Sequence, residues 1–301
     1  MKTFSMGEAL GSGFEMIFRR PLAVLLWGVL IYLPGLVSIA AIWPLMGDGW
    51  VDPSAAVADF SDVGDIDAML RMHGWSALSN GLSLVIQALI GVAVIRLVLW
   101  PRTRGRAGLG LGKAEFCYIV VQIVICVVLA ILVVLALLLG VLIGLALRGA
   151  DPEVQPLVWI ALGAVGTGLF LWAWARTGLI SVASVDHKTL AFDEGWRLAC
   201  GQSVKLAVMG VLSVILCVIV FLPVVALAAL SVGLAGIDWA AFADAEIWTM
   251  TWEPRLMIGF ALALLFIFAG TGAATTVAYV PWASAYRQLK RAAEDIDAKS
   301  S

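Results

Sequence analysis

The chain has 301 residues, of which 62% are hydrophobic and only 13% charged; soluble domains are roughly half apolar and a quarter charged. Such a composition excludes a water-soluble globular fold and makes the bilayer the expected solvent. The net charge of −2 is the small difference between two opposed faces, so it carries no inference about partners, and nucleic acid is not an expected one.

The first element is announced by Ser5-Met6-Gly7-Glu8, which fits a capping box. Met6, Ala9, Leu10, Gly13, Phe14, Ile17 and Phe18 then recur at helical spacing up to Arg19-Arg20. This predicts an amphipathic helix lying in the membrane interface. Six apolar runs follow, each long enough to cross ~30 Å of hydrocarbon as helix: Leu22–Trp43, Ala77–Trp100, Phe116–Leu147, Leu157–Val185, Val204–Leu234 and Leu256–Tyr279. The first is too long for the apolar core of a cleaved signal, and Pro21 directly after the arginine pair spoils a twin-arginine signal.

Between the first two spans, the loop Gly47–Gly74 carries six aspartates, with a short helix expected from Ser61 to Met72. Asp62, Asp65 and Asp67 lack the glycine and terminal glutamate of a calcium loop. After the second span, Arg102, Arg104 and Arg106 flank the glycines of 105–112, a basic loop expected to touch anionic headgroups. Gly140 and Gly144 in the third span, and Gly163, Gly166 and Gly168 in the fourth, are the expected sites of close helix packing. Ahead of the fifth span, Ala191, Gly195, Leu198, Ala199 and Gln202 share one helical face, with Trp196 suited to headgroup level. Gly13-Phe14 and Gly195-Trp196 each precede a span by about two turns, which reads as a repeated elbow and span. Gly112–Phe116 is a degenerate third copy, and the spans group as three hairpins. The last connecting loop, Gly236–Pro254, mixes Trp239, Trp248 and Trp252 with acids, as an interfacial helix would. Pro34 and Pro223 lie inside spans and predict kinks.

Sixteen of the nineteen Lys and Arg residues fall in alternate gaps; only Arg71, Arg148 and Arg255 lie on the other side. Flanking cations favour the cytoplasm, so both termini are expected there. The reading is an all-α membrane protein of a bacterial inner membrane: one six-span domain over 1–286 and a polar cytoplasmic tail over 287–301.

Ionisable groups inside a span demand an explanation. Arg96 lies one turn before Trp100-Pro101 and can snorkel to headgroups. Arg176 is deeper: with a helix running to Val185 it needs a partner, a bundle-interior position or water. Alternatively the span ends near Trp172–Trp174, and Thr177–Lys188 is irregular interfacial chain. Gln87 and Gln122 are interhelical hydrogen-bond formers or parts of a polar path. The absence of a mid-membrane carboxylate argues against a proton relay. His73 and His187 fall on opposite predicted sides, which leaves no Ser-His-Asp triad or histidine metal centre. Asp186-His187 reads as a solvated turn. The four cysteines have no C-x-x-C spacing, so neither a disulfide nor zinc is expected; no cofactor is implied.

The order of elements resembles the membrane domain carried by some bacterial glycerophosphodiester phosphodiesterases and by related stand-alone proteins. The matching pieces are 5–21 leading into the first span, Arg96 to Arg106 after the second, Arg176, and Asp193-Glu194-Gly195-Trp196-Arg197-Leu198-Ala199-Cys200-Gly201 before the fifth. In those enzymes the chemistry resides in a separate barrel with metal ligands that this chain lacks. The resemblance therefore implies a membrane module without hydrolase activity. The expected function is non-enzymatic: organising lipid, or binding a membrane partner, through Arg96, Arg176, Trp196 and Arg197. The alternative is a transporter or lipid-translocating protein with a polar path near Arg176 and Gln87.

Overall fold

The computed structural model describes residues 4–42, 66–101, 108–110, 112–147, 154–236 and 253–300. Among them are eight helices and no strand: α1 Met6–Arg19, α2 Pro21–Ile42, α3 Ile66–Leu99, α4 Lys113–Ala146, α5 Val154–His187, α6 Phe192–Ala199, α7 Ser203–Leu234 and α8 Pro254–Ser300. All but α1 and α6 are long and apolar enough to cross a membrane. The protein is an all-helical, multi-pass membrane protein.

Several boundaries differ from expectation. The separate helix expected over Ser61–Met72 is absent as such: from Ile66 the chain is already helical and runs through Gly74 into the second span without a break. Its earlier residues, the basic positions 102, 104 and 106, and the tryptophans at 239, 248 and 252 lie outside the described residues. The third elbow does not form a helix of its own. Gly112 is simply the N-cap of α4, its backbone extended. The irregular alternative for Thr177–Lys188 is also overturned, because α5 is one helix to His187. It stops where Lys188 adopts a left-handed φ of 55°, the usual conformation just past a helix C-terminus. The C-terminal tail continues α8 without interruption, and Tyr286 and Leu289 within that helix are fully buried.

The capping box at α1 is half as drawn. Glu8 N donates to Ser5 Oγ (3.4 Å), but the Ser5 N–H is satisfied by Gln288 Oε1 (2.7 Å) in place of Glu8. A long-range contact thus takes over one half of a local motif and ties the start of α1 to α8.

The chain forms two compact units. One comprises Met1–Glu15, Gly91–Ile215 and Val277–Ser301; the other comprises Met16–Ile90 and Leu216–Thr276. In the second, α2 crosses α8 at glycine: Gly28 lies against the Phe268 carbonyl and Gly272 against the Val24 carbonyl, leaving no room for a Cβ on either. Tyr32 Oη and Thr271 Oγ1 pair at 3.0 Å beside this crossing. Along α7 and α8, Gly270 receives Val224, and Ala228, Val232 and Ala263 form a core under Leu256, Phe260, Phe266 and Ile267. The carbonyl of Pro34 accepts from Ser38 (2.9 Å) and Ser79 (3.5 Å), which ties α2 to α3. Thr275 and Thr276 bond the carbonyls four residues back, as hydroxyls in apolar helices do.

In the first unit, α4 and α5 form a hairpin and α6 folds back onto α5. Gly140 and Gly144 pack against the Trp159 indole of α5. Gly163, Gly166 and Gly168 meet nothing within 4 Å, so they are not the close-packing glycines of α5. That role falls to Gly178, which faces Trp282, and, on α6, to Gly195, whose Cβ would lie 2.5 Å from Ile180 Cα. Val121, Ile125 and Ile180 form a small core with Leu129 and Phe192.

Candidate functional site

Gly195 is what permits α6 to lie on the backbone of α5, and that approach carries Trp196 down to Arg176. The guanidinium carbon stands 4.8 Å from the Trp196 ring centroid and 4.9 Å from that of Trp172, and the two indoles meet edge to face at 6.0 Å. Arg176 Nε donates to Ser203 Oγ at 3.1 Å. Ser203 opens α7, and its hydroxyl in turn donates to the Ala199 carbonyl (3.3 Å). Three helices therefore fix one cation: α5 supplies Arg176 and Trp172, α6 supplies Trp196, and α7 supplies Ser203. Among the described residues the two terminal nitrogens of Arg176 donate to no protein group, and they form a planar fork of donors. Arg176 is half-buried, while Trp172 and Trp196 keep 45% and 39% of their surface exposed.

The other expected site residues are placed differently. Arg96 has a partner within the protein: its Nη1 pairs with Glu115 Oε1 at 2.5 Å, and the Glu115 side chain is only 4% exposed. The pair supplies the counter-ion of Glu115, since a buried carboxylate left alone is costly. Arg197 is exposed on α6. Gln122 accepts from Ser181 Oγ at 3.3 Å, an α4 to α5 link. Gln87 is exposed and belongs to the second unit. No chain of hydrogen bonds joins Gln122 to Arg176 among the described residues.

In place of the expected solvated turn, a polar cluster lies at the end of α5. Tyr286 Oη is 3.1 Å from Asp186 Oδ2 and 3.2 Å from Glu194 Oε1, so its single proton serves one carboxylate at a time. Lys290 Nζ lies 2.6 Å from Asp186 Oδ2, and His187 Nε2 lies 2.6 Å from Glu194 Oε2. This network clamps α6 between α5 and α8. Its members are 92 to 104 residues apart along the chain where α8 is involved, which is why local spacing gave no sign of it. Asp186 and His187 do not converge with Arg176. Ten residues of α5, about 15 Å of helix, separate Asp186 from Arg176, and the two groups have disjoint partners.

Among the described residues no group of three or more His, Cys, Asp or Glu side chains is placed to hold a metal ion, and the four cysteines are free. Comparison with protein-family models, with curated proteins and with solved structures yields no match.

Proposed function

We propose that the protein is a non-enzymatic module of a bacterial inner membrane that captures a lipid or a membrane partner at Arg176. The observation that carries this reading is the guanidinium held between Trp172 and Trp196, with Nε committed to Ser203 and the terminal nitrogens directed to no group of the described chain. Arg96, by contrast, spends its Nη1 on Glu115 and on the Gly108 carbonyl within the protein. An arginine that only snorkels would need neither a second tryptophan from another helix nor a serine holding its Nε.

The charge distribution supports a cytoplasmic placement of both termini and of the basic loops. The elements quoted for the phosphodiesterase-associated membrane domain support kinship with that group of membrane modules.

The test is native mass spectrometry of the full chain, purified from membranes in mild detergent, beside Arg176→Ala. The expected result is one retained species, lipid or protein, that the variant loses. Identical retained species in both would remove Arg176 as a binding residue.

A further inference from the structure

We infer that the group received by Arg176 is the phosphate of a membrane phospholipid, an inference that rests on the binding role proposed above and names its ligand.

Residues 155–172 of α5 include none that is buried, whereas from Ala173 to Val185 the protein itself buries Ala173, Ala175, Thr177, Leu179, Ile180, Val182, Ala183 and Val185. The lipid-facing stretch of α5 therefore stops just short of Arg176. From Val154 to Arg176 is 22 residues of helix, about 33 Å, close to the ~30 Å thickness of the hydrocarbon. The part of α5 beyond Arg176 is covered by α6 and α8 and need not be in lipid at all. Arg176 is then at the edge of the hydrocarbon, where glycerophospholipids place their phosphates and where exposed indoles concentrate.

With Nε anchored on Ser203, the two terminal nitrogens are left as a planar pair of donors, the geometry that matches two oxygens of a phosphate or carboxylate. Three carboxylates of the same unit are committed to other groups: Asp186 to Lys290 and Tyr286, Glu194 to His187 and Tyr286, Glu115 to Arg96. The flanking indole faces hold the cation through its own charge. Lys205, exposed in the first turn of α7 two residues beyond Ser203, adds a second cation to the same turn. At this depth the phosphate present in greatest excess is that of the lipid itself. A soluble phosphate ester offers the same oxygens, and the experiment must separate the two.

The full chain is reconstituted in nanodiscs containing equal amounts of phosphatidylglycerol and diacylglycerol, two lipids that share acyl chains and differ in the phosphate. Retained lipid is read by native mass spectrometry. The expected result is at least a tenfold preference for the phospholipid. Arg176→Ala and Arg176→Lys both lose it, while Arg255→Ala, on an exposed arginine of the second unit, retains it. The lysine variant keeps a charge without the anchored fork, so it guards against an alanine variant that fails to fold. In a second arm, glycerol phosphate is added in solution; it leaves the retained phospholipid in place if the lipid is the ligand. Displacement by that soluble ester overturns the lipid assignment. A preference unchanged in Arg176→Ala overturns the phosphate inference; if the same variant still loses a protein species, the binding reading stands without it, and if it loses nothing, both fall.

Discussion

At the scale of single residues, the central contrast is between two arginines of the first unit. Arg96 is spent on a carboxylate that is itself buried, and Arg176 is held by groups that leave its fork open. The first is a stability element. Arg96→Ala would strand Glu115 without its counter-ion and is expected to cost about 3–5 kcal/mol, read as a lower melting temperature in detergent; Arg96→Ala with Glu115→Ala is expected to recover most of it. On the binding role proposed for the second, Trp196→Ala is expected to leave melting within ~1 kcal/mol of wild type, since Trp196 is exposed, while weakening retention at Arg176. Equal losses of stability and retention in Trp196→Ala would count against that division. The sequence singles out Arg176 because an ionisable group in an apolar run has few uses. Trp172, four residues before Arg176 on the same helix, shares its face by i, i+4 spacing alone; Ser203 was not legible as a partner, because the apolar pattern leaves the rotation of α7 about its own axis open.

At the scale of elements, close packing falls on glycines that the pattern did not single out. Gly28 and Gly272 sit against backbone carbonyls, whereas Gly163 meets nothing within 4 Å. Gly272→Leu is expected to destabilise by several kcal/mol or abolish folding, since the crossing must open. Gly163→Leu is expected to stay within about 0.5 kcal/mol. Solubilised yield and thermal unfolding of the two variants decide it, and similar behaviour would refute the crossing. The clamp on α6 makes a second prediction at this scale. Tyr286→Phe removes the hydroxyl between Asp186 and Glu194 and is expected to cost about 1–3 kcal/mol, as for other buried charge-assisted hydrogen bonds. In hydrogen exchange, the amides of 192–199 are expected to lose protection before those of α5. Helical periodicity and Ser5-Met6-Gly7-Glu8 were sufficient to predict α1 and α6. They could not show that α8 continues past Tyr279 to bury Tyr286 and Leu289, because the polar residues 287–301 satisfy a helix face and a solvated tail equally well.

At the scale of the whole molecule, composition and run length were enough for six spans and an all-helical fold, since hydrocarbon forces each crossing segment to satisfy its own backbone. The orientation rests on a different physical term, the distribution of Lys and Arg between alternate gaps. With that expected orientation, the phosphates proposed to meet Arg176 would be those of the cytoplasmic leaflet, where anionic lipid concentrates. Cysteine labelling in intact cells tests this most directly, using a chain whose four cysteines are replaced by serine and which carries either Arg104→Cys or Asp62→Cys. A membrane-impermeant maleimide is predicted to modify position 62 and to reach position 104 only after the cells are permeabilised. Modification of position 104 from outside, with position 62 protected, would place the Arg176 site in the opposite leaflet and contradict the account.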